Sequence, residues 1–276
     1  MENILVALNV TKLNENTVDF ACYIANLSHS KLTAIFIENT TARENLKLKK
    51  DYALPSEEFG SSPGNDEWTK IIDVKKKLFH QACSNRGTNC SVNDQQYLSV
   101  EDFIQETRFA DLVIIDPETS YENKIESTPT HFTKSITANS ECPVILVPYS
   151  FEAIEEIVFA YDGSKSSVFA IKQFMHILPE LNSLPVTVVK VNTKEGEALD
   201  EADKITDLLK SHFSEIRYEN LWGKPGDELF GYLLKKANVF IVMGAYGRGL
   251  LTNSFKHSTA DLILKAINLP IFITHF

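Results

Sequence analysis

Short apolar runs alternate with amphipathic stretches along most of the chain. The runs at 3–9 and 156–162 each lead into a stretch whose apolar residues recur at helical spacing. The run at 238–243 is apolar almost throughout, as expected of a strand that helices cover on both faces. This alternation predicts a parallel, doubly wound sheet with right-handed crossovers.

The predicted elements form two similar series. Strands are predicted near 3–9, 32–37, 92–97, 111–116, 143–148, 156–161, 186–192, 215–221, 238–243 and 270–275. Helices are predicted near 14–29, 67–85, 99–109, 131–140, 165–178, 197–213, 226–236 and 256–267. Each half of the chain therefore has the same succession of strands and helices.

An internal repeat relates the two series. The runs 110–116 and 142–148 recur 127 residues later, at 237–243 and 269–275, whereas the opening strands are 153 residues apart. The first half must therefore carry an early insertion of 26 residues. The polar segment 38–66, which lacks apolar periodicity, supplies it and is expected to form a surface loop or lid. We interpret the chain as a duplication.

The repeat predicts an α/β protein of two tandem units, 1–149 and 152–276, joined by residues 148–151. Each unit is expected to be doubly wound, with a five-stranded parallel sheet flanked by helices. The closing strands at 143–147 and 270–274 are strongly apolar, and edge strands of this kind require a partner.

A glycine-rich loop follows the fourth strand of the second half, and ligands of such sheets bind beyond the carboxyl ends of the strands. Gly244 and Gly247 let a ligand approach the backbone, Arg248 supplies a cation, and Ser258 opens a helix whose amides suit phosphate oxygens. The alternative is structural: the glycines form a tight turn, and Ser258 only caps the helix.

Asp162 ends the first strand of the second half and is followed by Gly163 and Ser164. Its carboxylate at the end of a strand can accept hydrogen bonds from an amino group or a ribose. The alternative is that Asp162 caps the following helix.

These residues resemble the universal stress proteins. The pattern Gly-x2-Gly-x9-Gly-[Ser/Thr] after an apolar strand is their phosphate-loop signature, and Gly244, Gly247 and Ser258 match it. The strand-one ending at Asp162 and the closing strand near 269–276 resemble theirs, and the repeat covers essentially the whole chain.

The resemblance implies strand order 3-2-1-4-5 in each unit and a pseudo-dimer in which the closing strands pair. It also implies an adenine-nucleotide site, ATP among the candidates. Asp162 and a backbone group at Val191 would hold adenine, while Gly244, Gly247 and Ser258 would hold the ribose and phosphates.

One position of the second-half loop departs from the family pattern. His257 stands where the signature has its third glycine. Its side chain either blocks the backbone amide from a phosphate or contacts an anion through the imidazole.

The first half departs further from the pattern. Segment 117–130 has no glycine, Pro117 lacks an amide hydrogen, and Asn9 stands in place of the strand-one aspartate. The 127-residue offset places Ser120, Thr130 and His131 opposite Gly247, His257 and Ser258. Negative charge comes from Glu118, Glu122 and Glu126, which we expect to be uncompensated. Any nucleotide should therefore bind the second half.

Composition narrows the partners. The chain of 276 residues is 43% hydrophobic and 23% charged, as in an ordinary globular protein. Lys and Arg number 27 against 37 Asp and Glu, a net charge of −10 that disfavours nucleic acid and anionic membranes as partners.

Residues 1–6 lack a signal-peptide pattern, so we expect a cytoplasmic protein. The four cysteines are expected to be buried or idle thiols in a reducing compartment.

We expect a non-enzymatic stress-response module that senses a nucleotide or another ligand, with no metal and no catalytic residues. The alternative is an interaction scaffold of the same fold whose nucleotide site has been lost in both halves. A hydrolase or nucleotidyl-transferring enzyme on this fold is the third interpretation, and no acid–base set in the sequence favours it. The expected partners are the two halves themselves and unidentified proteins, with a homodimer left open.

Overall fold

The computed structural model describes residues 1–10, 12–37, 63–94, 99–121, 126–193, 202–244 and 268–274. The strands are β1 (Asn3–Asn9), β2 (Lys31–Ile37), β3 (Cys90–Val92), β4 (Leu112–Ile115), β5 (Val144–Leu146), β6 (Glu156–Ala160), β7 (Val186–Asn192), β8 (Ile216–Trp222), β9 (Val239–Gly244) and β10 (Ile271–Thr274). The helices are α1 (Glu15–Leu27), α2 (Pro63–Asn85), α3 (Val100–Thr107), α4 (His131–Asn139), α5 (Lys165–Ile177), α6 (Ala202–Lys210) and α7 (Pro225–Leu233). A 3₁₀ helix at Pro179–Ser183, which the sequence pattern did not predict, follows α5.

The ten strands form one sheet in the order β3-β2-β1-β4-β5-β10-β9-β6-β7-β8. Within each half the order is 3-2-1-4-5 and the pairing is parallel. The predicted α/β architecture of two tandem doubly wound units is confirmed. The domain boundaries at 149 and 152 stay a prediction.

The two halves meet where β5 and β10 pair antiparallel. The register places Phe272 opposite Ile145, with Leu146–Ile271 and Val144–Ile273 on either side. All six side chains are at most 2% exposed. Each closing strand is thus the partner that the other requires, because an apolar edge left unpaired would attract other chains.

Side chains alternate between the two faces of the sheet and form two core layers, as strand geometry requires. Ile4, Val6 and Leu8 of β1 belong to one layer, whereas Leu5 and Ala7 belong to the other. Buried residues of α1, α2, α5 and α6 cover the first layer, and those of α3, α4 and α7 cover the second. Both layers run across the β5–β10 pair, so the halves share a continuous core.

Several predicted boundaries need correction. The predicted insertion at 38–66 is too long, because α2 already begins at Pro63; residues 38–62 lie outside the described residues. The third strand was predicted at 92–97 but spans Cys90–Val92, so it begins two residues earlier and ends at Val92; residues 95–97 lie outside the described residues. The helix predicted at 197–213 is described as Ala202–Lys210. The predicted last helix, 256–267, lies outside the described residues. Among the helices described, none is both long and apolar enough to cross a membrane.

Phe272 of β10 is packed against aromatic rings of the second half. Its ring meets that of Phe174 edge to face, with 5.4 Å between centroids, and Phe174 meets Phe240 in the same way at 5.3 Å. Such pairs stabilise a core beyond the area that they bury. The aromatic cluster therefore packs α5 against the seam, the β5–β10 pair at which the two halves meet.

We expect Phe272→Ala to lower the free energy of unfolding by about 3–5 kcal/mol, because it leaves a cavity in both the seam and the aromatic cluster. Urea denaturation followed by circular dichroism measures this loss. The matched control is Phe109→Ala, since Phe109 is 77% exposed and its removal should cost less than about 0.5 kcal/mol. Equal losses in the two variants would contradict the packing role of Phe272.

A half-buried ion pair fixes the start of β6. Glu156 accepts hydrogen bonds from Thr187 at 2.6 Å and from Lys236 at 2.9 Å. Burial tends to raise the pKa of Glu156, but these two hydrogen bonds and the positive charges of Lys236 and Arg217 together outweigh it, and the pKa of the carboxyl is lowered. The ionised pair therefore stabilises the folded chain at neutral pH.

We expect Glu156→Gln to cost about 1–2 kcal/mol at pH 7 and progressively less as the pH falls through the acid range. The sign follows from the lowered pKa: stability from the carboxylate is present above its unfolded pKa and is lost as it protonates. Urea denaturation at several pH values measures the difference. Glu141→Gln is the control, because the Arg108–Glu141 pair is well exposed and should contribute less. A difference independent of pH would contradict this account.

Candidate functional site

In each half the strand order changes direction at one point along the carboxyl edge of the sheet, and this switch point is here called the crevice. It lies between β1 and β4 in the first half and between β6 and β9 in the second. Ligands of doubly wound folds bind at this position. The residues that follow these four strands are therefore the candidates for contact with a ligand.

Asp162 lies two residues after the end of β6 and is exposed. One oxygen of its carboxylate accepts a hydrogen bond from the backbone amide of Ser164 at 2.9 Å, which orients the side chain at the end of the strand. The cap of α5 is Ser164, whose hydroxyl accepts from the amide of Ser167 at 3.1 Å. Since capping is performed by Ser164, the carboxylate of Asp162 retains capacity to accept hydrogen bonds from a ligand.

Gly244 ends β9, beside α5. A Cβ atom at this position would lie 2.7 Å from the carbonyl oxygen of Ser166 and 2.6 Å from its carbonyl carbon. Glycine is therefore required for the first turn of α5 to approach β9, a packing role that the sequence analysis did not consider. The hydroxyl of Ser166, which lies at this contact, is buried and has no hydrogen-bond partner within the part of the chain that the structure describes.

Val191 lies in the last part of β7, next to β6, and is partly buried. Its neighbours Lys190 and Asn192 are 7% and 3% exposed, and both have interaction partners. The sequence analysis missed these two polar residues. The signal was their alternation with valines at the end of a strand that is otherwise apolar.

The structure thus brings Asp162, Val191 and Gly244 to the carboxyl ends of three adjacent strands, β6, β7 and β9. The other predicted site residues, Gly247, Arg248 and Ser258, lie outside the described residues, as does His257. Their roles stay predictions.

The first-half crevice is occupied by its own side chains. Asp116, which follows β4, accepts hydrogen bonds from the side chains of Asn14 at 2.5 Å and Thr17 at 3.2 Å, and from the amide of Glu118 at 2.7 Å. Asn9 accepts from the amide of Ser120 at 3.4 Å and so bridges the ends of β1 and β4. The polar groups at this edge are therefore largely bonded to one another.

A carboxylate of the chain itself occupies the N-terminus of α4. Glu126 accepts a hydrogen bond from the amide of His131 at 3.3 Å and another from the hydroxyl of Ser120. Thr130 caps the same helix through the amide of Thr133. This end of the helix, which in the second half was predicted to face phosphates, already has an anion.

The expectation that the first-half carboxylates are uncompensated is wrong for those that the structure describes. Lys12 pairs with Glu118 at 2.9 Å, and the pKa of Lys12 is raised by this contact. Glu126 is compensated by the hydroxyl and the amide just described. Glu122 lies outside the described residues.

The space left in the first-half crevice is small. A cavity of about 20 Å³ lies among Asn9, Lys12, Asn14, Thr17 and Asp116. Ligand pockets typically measure roughly 300–1,000 Å³, so this one has room for little more than a water molecule. In the part of the chain that the structure describes, no group of three or more His, Cys, Asp and Glu side chains is placed to hold a metal ion.

Comparison with known proteins supports the interpretation of the fold. A universal stress protein of Synechocystis sp. is 21% identical, and the alignment covers 98% of this chain and 99% of that protein. The crystal structure of a universal stress protein from Archaeoglobus fulgidus aligns over 98% of both chains, with a TM-score of 0.68 and 14% identity. The chain has the fold of the universal stress proteins. The resemblance predicted from the sequence is confirmed.

A second solved structure agrees with the first. A Pseudomonas aeruginosa protein assigned to the universal stress proteins aligns over 100% of this chain and 93% of its own, with a TM-score of 0.55 and 16% identity. No protein-family model matches the chain. The likeness to the solved structures therefore shows the architecture of this chain and not its chemistry.

We expect Gly244→Ala to lower the free energy of unfolding by about 1–3 kcal/mol, because the added methyl group meets backbone atoms of α5 that cannot move aside alone. Urea denaturation measures the change. Gly231→Ala is the matched control: no atom lies within 4 Å of a Cβ there, and alanine in the interior of α7 should stabilise the chain. A neutral Gly244→Ala would contradict the packing role.

Proposed function

We propose that this chain is a non-enzymatic universal stress protein of the cytoplasm that binds ATP or another adenine nucleotide in its second half. The nucleotide would lie in the crevice between β6 and β9, with Asp162 and the backbone near Val191 at the adenine. The glycine loop with Gly247, Arg248 and Ser258 would hold the phosphates.

The observation that carries this proposal is the contrast between the two crevices. In the first half, Asp116 and Glu126 accept hydrogen bonds from neighbouring groups of the chain, and about 20 Å³ of space remains. In the second half, the carboxylate of Asp162 is exposed, and among the described residues it receives one hydrogen bond, from the amide of Ser164 in its own turn. A ligand with an amino group therefore has an acceptor to meet in the second half.

The charge pattern favours the same half. A phosphate placed beside Asp116, Glu118 and Glu126 would compete with bonds that these carboxylates already make, and it would meet their negative charge. The second-half loop offers glycine amides and Arg248 instead. We therefore assign the nucleotide to one half of the pseudo-dimer only.

A binding role fits the described residues better than catalysis. The carboxylate of Asp162 is held by the Ser164 amide in an orientation suited to accepting a hydrogen bond. The nearby hydroxyl of Ser166 is buried against Gly244, and no described residue is hydrogen bonded to it as a base that would activate it as a nucleophile. We accordingly expect turnover of ATP to be weak at most.

An interaction scaffold is the second candidate, and the outer strand β8 favours it. This strand pairs with β7 on one side and forms the end of the sheet. Trp222 and Tyr218 on it are 48% and 37% exposed, and exposed aromatic residues on an edge strand suit a protein partner.

Titration calorimetry with ATP, ADP, AMP and cyclic nucleotides decides between the two candidates. We expect micromolar affinity for at least one of them, and a loss of at least tenfold in Asp162→Ala because a charge-assisted hydrogen bond is worth about 1.5–3 kcal/mol. Gly247→Val should abolish binding, since its side chain would occupy the path of the phosphates.

The matched control is Asn9→Ala, which changes the equivalent position of the first half and should leave the affinity unchanged. His257→Gly strengthens binding if the imidazole is obstructive and weakens it if the imidazole contacts the anion. Absence of binding across the nucleotide panel would reject the sensor in favour of the scaffold. If Asn9→Ala abolishes binding and Asp162→Ala leaves it unchanged, the nucleotide binds in the first half and the proposed location is wrong.

A further inference from the structure

Two buried thiols of the first half are in direct contact. Cys22 of α1 and Cys83 of α2 are 1% and 0% exposed, and their Sγ atoms are 3.7 Å apart. The two residues are 61 positions apart in the sequence, so the fold rather than local spacing brings them together. Formation of a disulfide would require the sulfur atoms to approach to about 2.05 Å through a change of side-chain rotamers.

A third thiol connects this pair with the surface. Cys90 lies on β3, the short strand at the end of the sheet, and is partly exposed. Its side chain packs against the same core layer and contacts His80, which lies three residues before Cys83 on α2 and therefore on the same face of that helix. Sγ of Cys90 lies 3.4 Å from Nδ1 of the exposed His80.

The surroundings distinguish the two buried thiols. The hydrogen bond from Cys83 lowers the pKa of Cys22 against the opposing effect of burial, and Thr88 and Arg86 act in the same direction. The pKa of Cys83 is raised by its hydrogen bond with Cys22 and by burial. Cys22 is therefore the better thiolate of the pair.

We propose that Cys90, Cys83 and Cys22 form a thiol relay that converts the reaction of hydrogen peroxide at Cys90 into a buried Cys22–Cys83 disulfide. Exposure decides the entry point, because Cys90 is the member of the cluster that peroxide can reach. Position decides the direction of transfer, because Cys83 contacts Cys22 and also lies one helical turn from His80, the residue that Cys90 contacts.

The first step is a two-electron oxidation of Cys90. His80 accepts the thiol proton, the thiolate sulfur attacks one oxygen of hydrogen peroxide, and the O–O bond breaks. The leaving hydroxide takes up a proton to become water, and Cys90 becomes a sulfenic acid. Peroxide is reduced, and the sulfur is oxidised by the same two electrons.

Two further steps move the oxidised sulfur inward. The sulfur of Cys83 attacks the sulfenic sulfur of Cys90, the S–O bond breaks, and water leaves with the Cys83 proton. The thiolate of Cys22 then attacks Cys83, and Cys90 departs as a thiolate that regains a proton. In total, two thiols and one peroxide give one disulfide and two water molecules.

The fourth cysteine supplies an internal control. Cys142 is buried at the end of α4, where its sulfur contacts the hydroxyl of Ser140, and no other thiol contacts it among the described residues. Burial raises the pKa of Cys142 to about 12. Its thiol should therefore remain reduced while the cluster is oxidised.

The test treats the reduced, folded chain with one equivalent of hydrogen peroxide, alkylates the remaining thiols and maps the disulfides by mass spectrometry. We expect a Cys22–Cys83 disulfide with Cys90 and Cys142 alkylated. In Cys22→Ser the reaction should stop at Cys83–Cys90. In Cys83→Ser, Cys90 should remain a sulfenic acid that dimedone traps.

Cys90→Ser should slow formation of the buried disulfide at least tenfold, whereas the control Cys142→Ser should react as the unsubstituted chain does. Because Cys90 is partly exposed, its replacement by serine should preserve the fold, which circular dichroism checks. The relay is wrong if Cys90→Ser is oxidised at the unsubstituted rate, or if all four thiols of the unsubstituted chain remain reduced. Neither result depends on nucleotide binding.

Discussion

The antiparallel pairing of β5 with β10 is the contact on which the rest of the architecture depends. Three residues of each strand are paired, and all six side chains are buried. Without this pairing each half would end its sheet on an apolar edge and would leave part of its two core layers uncovered. With it, ten strands form one sheet, and helices of both halves cover common layers.

The β5–β10 pairing does not involve the residues that follow β1, β4, β6 and β9 at the carboxyl edge of the sheet. The two copies of the repeat have diverged there. In the first half, Asn9, Asp116 and Glu126 use their hydrogen-bonding capacity on neighbouring groups of the chain, so that edge is closed by internal bonds. In the second half, Asp162 and Ser166 keep polar atoms that no described group satisfies in full. The polar groups of the first-half crevice are thus bonded to one another, whereas the described polar groups of the second-half crevice have lone pairs that can accept further hydrogen bonds.

Periodicity predicted the fold well because burial on both faces constrains every position of a central strand. Strand β1 begins at Asn3 and ends at Asn9, as the apolar run at 3–9 predicted. The apolar sequences of the two closing strands indicated that each requires a partner, and the resemblance to the universal stress proteins implied that they pair with each other. Boundaries were less accurate where side chains are exposed, as in the short edge strand β3.

The site was less predictable because its features depend on contacts between distant segments. The glycine pattern suggested that Gly244 serves a ligand, yet the backbone of Ser166 is what requires a glycine there. Glu126 could be recognised as a charge, but not as the acceptor of the His131 amide. Likewise, no spacing rule connects Cys22 with Cys83, since two helices bring them together across the core.

Helix α1 links the two unusual features of the first half. Its cap residue, Asn14, donates to Asp116 at 2.5 Å and so closes the crevice, and Thr17 in its first turn donates to the same carboxylate. Cys22 lies on the same helix, in contact with Cys83 of α2. The cap and first turn of α1 therefore supply the polar groups that close the crevice, whereas its buried face supplies one thiol of the cluster. Because the sulfur atoms can approach through a change of side-chain rotamers, the backbone of α1 can keep its position, and with it the hydrogen bonds to Asp116, while the thiols react.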